Sequence, residues 1–190
     1  MIIRKTLVVL VIGLVFVSCS TIYTPAHVKL DPTVSVTETK QGNNAKVMVT
    51  VTDERESQSL GRASYVHGSG EIVSEQNVLG VIKRAVIEGL VQKDFDVRLK
   101  HSTSLTIELK LLEQVSSEGL YSDGVETRVA IKAVATREGR SYAKIYRANK
   151  DENYSILPSN KKREDMFNSV LGDVLTQLLG DQDLMLFFVL

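Results

Sequence analysis

The chain has 190 residues, 43% hydrophobic and 24% charged, a balance that suits a globular domain and excludes a disordered or fibrous one. Lys plus Arg and Asp plus Glu each total 23, so nothing in the charge favours a nucleic-acid partner. Cys19 is the only cysteine, which excludes an internal disulfide. The chain opens with Arg4 and Lys5 ahead of an apolar run from Leu7 to Val17, broken by Gly13 and followed by small Ser18. That is the layout of a secretory signal peptide over residues 1–18. As a helix the run would reach only ~16 Å, short of the ~30 Å hydrocarbon core, which argues against a transmembrane anchor. Without residues 1–18 the chain keeps 21 basic and 23 acidic residues, a mildly acidic mature protein.

Phe16-Val17-Ser18-Cys19 resembles the bacterial lipobox, with Phe16 standing where Leu is usual. The resemblance implies cleavage between Ser18 and Cys19, diacylglycerol on the Cys19 sulfur, and a fatty acid such as palmitate on the new amino group. The alternatives are a plain signal peptide with a cysteine nearby, or a buried thiol. A free thiol in an oxidising compartment is a liability that acylation removes. Stable anchoring needs more than one acyl chain, which such a cysteine supplies. Ser20 follows where Asp would signal retention at the inner membrane, so the resemblance implies outer-membrane delivery, facing the periplasm.

Residues 19–44 hold Pro25, Pro32 and Gly42-Asn43-Asn44 and read as a lipidated tether, with an edge strand possible over 28–36 where Val28, Leu30, Val34 and Val36 alternate. About 25 extended residues would let the domain stand off the membrane by ~85 Å. A single domain is expected over 45–190. Val47, Val49 and Val51 mark a strand that stops at Asp53-Glu54-Arg55-Glu56. Residues 63–66 and 70–73 suggest a short hairpin around His67-Gly68-Ser69-Gly70. Val78, Leu79, Val81, Ile82, Ala85, Val86, Leu90 and Val91 give one apolar helical face between Glu75 and Lys93. Strands follow at 95–99, 105–112, 125–136 and 141–148, the last two joined by Arg137-Glu138-Gly139-Arg140. Residues 113–124 and 149–158 read as loops. A final helix is expected over 160–179. The sum is an α+β fold: a mostly antiparallel sheet of about five to six strands with two amphipathic helices on one face.

Four short segments carry a wider resemblance: Val28-Lys29-Leu30-Asp31-Pro32-Thr33, Asp53-Glu54-Arg55 with Leu60-Gly61, Tyr146-Arg147-Ala148, and Asn168-Ser169-Val170-Leu171-Gly172-Asp173. In this order, behind the lipobox, they resemble the YajG-type lipoproteins of Gram-negative bacteria. The resemblance implies an outer-membrane lipoprotein with a periplasmic domain and no assigned reaction. The apolar ending Leu184-Met185-Leu186-Phe187-Phe188-Val189-Leu190 departs from the polar ending that the resemblance leads one to expect.

Candidate chemistry is sparse. Asp53, Glu54, Arg55 and Glu56 gather charge at a strand end, the sort of place where general acids work, yet an Asp–Arg contact bracing the turn accounts for them. His27, His67 and His101 lie on separate segments without metal-ligand spacing, so no metal is expected. Neither a GxSxG elbow nor a phosphate loop is present, and no cofactor is expected. Lys161, Lys162 and Arg163 place three cations in the first turn of the last helix, where the dipole favours anions. They read either as a solvated helix end steadied by Glu164 and Asp165, or as a docking patch for phosphate-bearing lipid or an acidic partner. The apolar tail reads as a strand completing the core, or, through Phe187 or Phe188, as a contact surface. The expected protein is not an enzyme but a lipid-anchored binding or structural domain with an envelope protein partner. The alternatives are a lipid or small-molecule carrier and an accessory lipoprotein of an outer-membrane transport machine.

Overall fold

The computed structural model describes residues 23–37, 40–65, 68–117 and 123–190; the signal peptide expected over 1–18, Cys19 and His67 lie outside them. Among the described residues, eight strands and three helices follow one another in the order β1 (Ala26–Val28), β2 (Lys46–Asp53), β3 (Arg62–Tyr65), β4 (Gly68–Ser74), α1 (Val78–Gln92), β5 (Asp96–Arg98), β6 (Ser104–Ser117), β7 (Asp123–Arg137), β8 (Arg140–Tyr154), α2 (Asn160–Gly180) and α3 (Gln182–Val189). The fold class is α+β. A five-stranded sheet has the order β5-β2-β6-β7-β8, and a smaller sheet the order β1-β4-β3. β2 lies parallel to both β5 and β6, and β1 parallel to β4; the long pairings β6–β7 and β7–β8 are antiparallel.

The long strands reach beyond the expected ones because their apolar alternation is carried past a change of phase. In β6 the buried positions are Leu105, Ile107 and Leu109, then Leu112 and Gln114. A bulge between Leu109 and Leu111 inserts one residue and turns the later side chains back to the same face. Leu112 and Gln114 thereby stand opposite Val129 and Thr127, all four buried. Most of the two segments read as loops, 113–124 and 149–158, is therefore strand. Glu108 pairs with Lys110 of its own strand at 2.8 Å and with Lys132 across the ladder at 3.4 Å, ordinary charge pairing on the sheet.

α1 starts where the Asn77 side chain accepts the N–H groups of Leu79 and Gly80, the usual role of an N-cap. It buries Val81, Ile82, Val86 and Leu90 and packs on β2 and β5. α2 buries Phe167, Val170, Leu171, Val174, Leu175 and Leu178 and packs on β7 and β8. The third helix corrects the expectation of two. The tail forms α3 rather than a strand, because Asp181 caps it by accepting from the N–H groups of Asp183 and Leu184, and its apolar residues then fall at helical spacing. Leu184, Met185 and Phe188 complete the core.

The tether is corrected too. Ala26, Val28 and Leu30 are wholly buried, and residues 23–37 lie along the domain as a strap. Their alternation supplies apolar side chains that β4 and α2 cover, which offsets the entropy of ordering them.

Candidate functional site

The strap's backbone is held from two places, the turn that precedes α1 and one edge of α2. The Val28 carbonyl accepts the Glu75 N–H at 3.0 Å, and Gln76 Oε1 accepts the Leu30 N–H at 2.9 Å. From α2, Glu164 Oε2 accepts the Lys29 N–H at 2.8 Å and Thr176 Oγ1 accepts the Ser35 N–H at 3.1 Å. Asn168 makes two bonds: Oδ1 accepts the Asp31 N–H at 2.7 Å and Nδ2 donates to the Lys29 carbonyl at 3.1 Å. Glu164, Asn168, Gly172 and Thr176 recur on one edge of α2 because their spacing is four residues. Lys161 and the Lys29 N–H hold the Glu164 carboxyl below the usual range.

Two glycines allow the strap to lie close. A Cβ at Gly70 of β4 would stand 1.8 Å from the Thr24 carbonyl oxygen, and one at Gly172 would stand 2.4 Å from that of Thr33. Beside the strap runs an open, charged groove of about 590 Å³ lined by Lys29, Asp31, Glu164, Asp165, Asn168 and Asp173, among others.

A second joint ties α2 to both sheets. The Gln114 N–H donates to the Leu60 carbonyl at 2.8 Å, next to the bridge between Gly61 and Gln114. Its side-chain amide donates to Thr127 Oγ1 at 2.9 Å and accepts from Arg163 Nη1 at 2.7 Å. Arg163, Gln114 and Thr127 are all buried. Arg163 is therefore not a surface cation, which corrects its place in the docking patch.

The third cluster fixes the tail. Asp181 Oδ2 accepts from Lys144 Nζ at 2.6 Å, Tyr146 Oη at 2.6 Å and Tyr142 Oη at 3.1 Å, while Oδ1 caps α3. Tyr142, Lys144 and Tyr146 meet one carboxylate because alternate residues of β8 share a face. Burial alone would raise the Asp181 pKa, but the bonds from Lys144, Tyr146, Leu184 N–H and Tyr142 hold it down to about 2. Burial, and then the bond to Asp181, push the Tyr146 phenol well above its usual value. Sequence reasoning missed Asp181; the signal was its place just after the helical glycine Gly180 and three residues before the start of the run Leu184-Met185-Leu186, an N-cap between two helices.

The remaining residues singled out from the sequence are dispersed. Lys161 is exposed and pairs with Glu164 and Asp165, and Lys162 pairs with Glu152. The Tyr154 hydroxyl and Lys162 together hold Glu152 at about 2. Phe188 is buried against Phe95, ring centres 5.9 Å apart and edge to face, which corrects its reading as a contact surface. Phe187 is partly buried beside Tyr142, with Arg140 over its ring. The lysines stand at the start of α2 and the phenylalanines in α3 beyond its end, so the structure does not bring them together. Arg55 grips Asp53 through two bonds of 2.9 and 2.8 Å, a brace at the end of β2. His101 Nδ1 accepts the Thr103 N–H, and His27 is exposed on β1.

These joints define an α+β domain whose polar clusters fasten its own elements, with its N-terminal segment built in as a strap. The chain belongs to a family described as uncharacterized lipoprotein, whose model matches residues 32–188. No curated protein matches it. Among solved structures it is similar to a protein from Xanthomonas campestris, with 12% identity, a TM-score of 0.56, and 83% of this chain and 93% of the other covered. A candidate homolog of neuraminyllactose-binding hemagglutinin from Helicobacter pylori is 9% identical with a TM-score of 0.50, covering 81% and 95%. A minor lipoprotein from Acinetobacter baumannii is 8% identical with a TM-score of 0.47, covering 72% and 89%. At these identities the likeness is one of fold.

Proposed function

We propose that this chain is an outer-membrane lipoprotein of the YajG type, anchored through Cys19 and facing the periplasm. The signal peptide over 1–18 is removed, the new N-terminus carries diacylglycerol and palmitate, and the domain serves as a non-enzymatic binding or structural module for an envelope protein partner. The observation that carries this reading is the lipobox-like Phe16-Val17-Ser18-Cys19 at the head of a chain of a lipoprotein family.

Two features of the domain support the non-enzymatic part. Asp181, Arg163 and Asn168 are spent on fastening helices and strap. The space between α2 and the sheet is filled by Phe167, Leu171, Val174 and Leu178, which favours a surface that binds a partner over a carrier's cleft. Palmitate labelling in growing cells tests the anchor: label on the wild type and none on Cys19→Ser is expected, and equal label on both overturns it. Crosslinking in cells followed by purification in mild detergent tests the partner, a single defined adduct being expected.

A further inference from the structure

The end of the strap sets how far the domain can stand from its anchor. Tyr23 is already in contact with the fold: its hydroxyl accepts the Glu71 N–H at 3.2 Å, and the Thr24 carbonyl lies over Gly70. Only four chain steps separate Cys19 from Tyr23, a reach of at most ~14 Å. The register of β1 on β4 pairs Ala26 with Ile72 in parallel, so from Ala26 back to Tyr23 the chain runs toward the start of β4.

Sheet topology gathers other features at that same end. The parallel bridge between Gly61 and Gln114 points the end of β3, and with it the start of β4, toward the end of β6. Gly124 of β7 pairs with Asn153 of β8, which puts the β8–α2 connection there as well. That connection exposes Ile156 at 83%, and the adjoining first turn of α2 carries Lys161 and Lys162. Tyr23 itself is 58% exposed. At the opposite end lie the start of β6 and the β5–β6 connection with Leu99, 94% exposed. The 14 residues of β6 separate the two ends by ~45 Å.

We propose that the domain rests on the headgroups of the bilayer that holds its lipid, touching them with the end that carries Tyr23 and Ile156, and keeps the Leu99 end away from the membrane. The occupant of this end is the anchoring bilayer itself, because the chain left between anchor and fold is too short for a partner domain to fit between them. An exposed isoleucine, an exposed tyrosine and two lysines at one end of the fold suit a headgroup boundary. This inference rests on the proposed acylation of Cys19.

The test uses the lipidated full chain in vesicles doped with a headgroup nitroxide lipid. With Cys19 acylated, Ile156→Cys and Leu99→Cys each carry the one free thiol for a fluorescent label. Both side chains are exposed, so neither substitution threatens folding. Quenching several-fold stronger at position 156 than at 99 is expected. A flexible Gly/Ser insert of ~20 residues between Ser20 and Thr21 should bring the signal at 156 down toward that at 99. Equal quenching at both sites, or no effect of the insert, overturns the placement. A chain that does not float with the vesicles overturns the anchor reading and this inference with it.

Discussion

Asn168 and Asp31 stand 137 residues apart in sequence, yet the Asn168 Oδ1 accepts the Asp31 N–H at 2.7 Å while its Nδ2 donates to the neighbouring Lys29 carbonyl. One side-chain amide thus satisfies a donor and an acceptor of an extended backbone that has no strand partner on that side. Asn168→Ala should remove both bonds, at about 2 kcal/mol. Gly172→Val should do more, since any Cβ there meets the Thr33 carbonyl oxygen at 2.4 Å. Hydrogen exchange checks this: amides 29–36 should exchange faster in both variants while α1 and β7 keep their protection. Uniform protection throughout would mean that the strap contributes nothing to holding itself in place.

Asp181 should make the tail sensitive to acid. Its folded pKa is depressed from 3.8 to about 2, so the stability it contributes is complete above its unfolded value and is lost as pH falls through the folded one. The wild type should therefore lose its advantage over Asp181→Asn as pH drops from neutral to about 2. Thermal melts at a series of pH values measure this difference, and a constant gap across the series would contradict it. At neutral pH, Asp181→Ala should cost on the order of 3 kcal/mol, through loss of a cap and of the bonds to Tyr142, Lys144 and Tyr146.

The three cations at the start of α2 should separate cleanly. Lys161→Gln with Lys162→Gln removes exposed or half-exposed ion pairs and should leave the urea midpoint nearly unchanged. Arg163→Ala opens the buried joint and leaves the Gln114 amide oxygen without its charged donor, which should cost about 2–3 kcal/mol. Urea melts of the two variants give the comparison. Similar midpoints would show that Arg163 is not holding the sheets and α2 together.

Deleting Leu184–Leu190 removes three buried side chains, Leu184, Met185 and Phe188. At about 2 kcal/mol each, the loss is about 6 kcal/mol, enough to lower Tm by 10 °C or more in a domain of this size. Calorimetry of the truncated chain checks it. A melting temperature unchanged within error would mean that the tail is surface after all.

Elements with a single unbroken period were legible in the sequence. The helix expected between Glu75 and Lys93 and the one expected over 160–179 match α1 and α2 closely, because each buries one stripe at helical spacing. The α+β class follows from them and from the alternating strands. What escaped notice was decided by tertiary contacts. The bulge after Leu109 resets the alternation, so Gln114, a polar residue in a segment read as loop, becomes a buried joint. The same burial takes Arg163 out of a run that reads as three equal cations. Residues 19–44 read as a tether with only a possible edge strand over 28–36, because the partners of that stretch on α2 lie more than a hundred residues away, although Asn168 and Gly172 both fall in the segments that resembled lipoproteins. Tyr146, in another of those segments, proves to hold Asp181.

The most direct measurement of the central claim is the mass of the N-terminal peptide from protein extracted from membranes. The account predicts a mature chain that begins at Cys19 and carries diacylglycerol on sulfur and an acyl group on the amine. A peptide that begins at Met1, or one that contains Cys19 as an unmodified thiol, would contradict it.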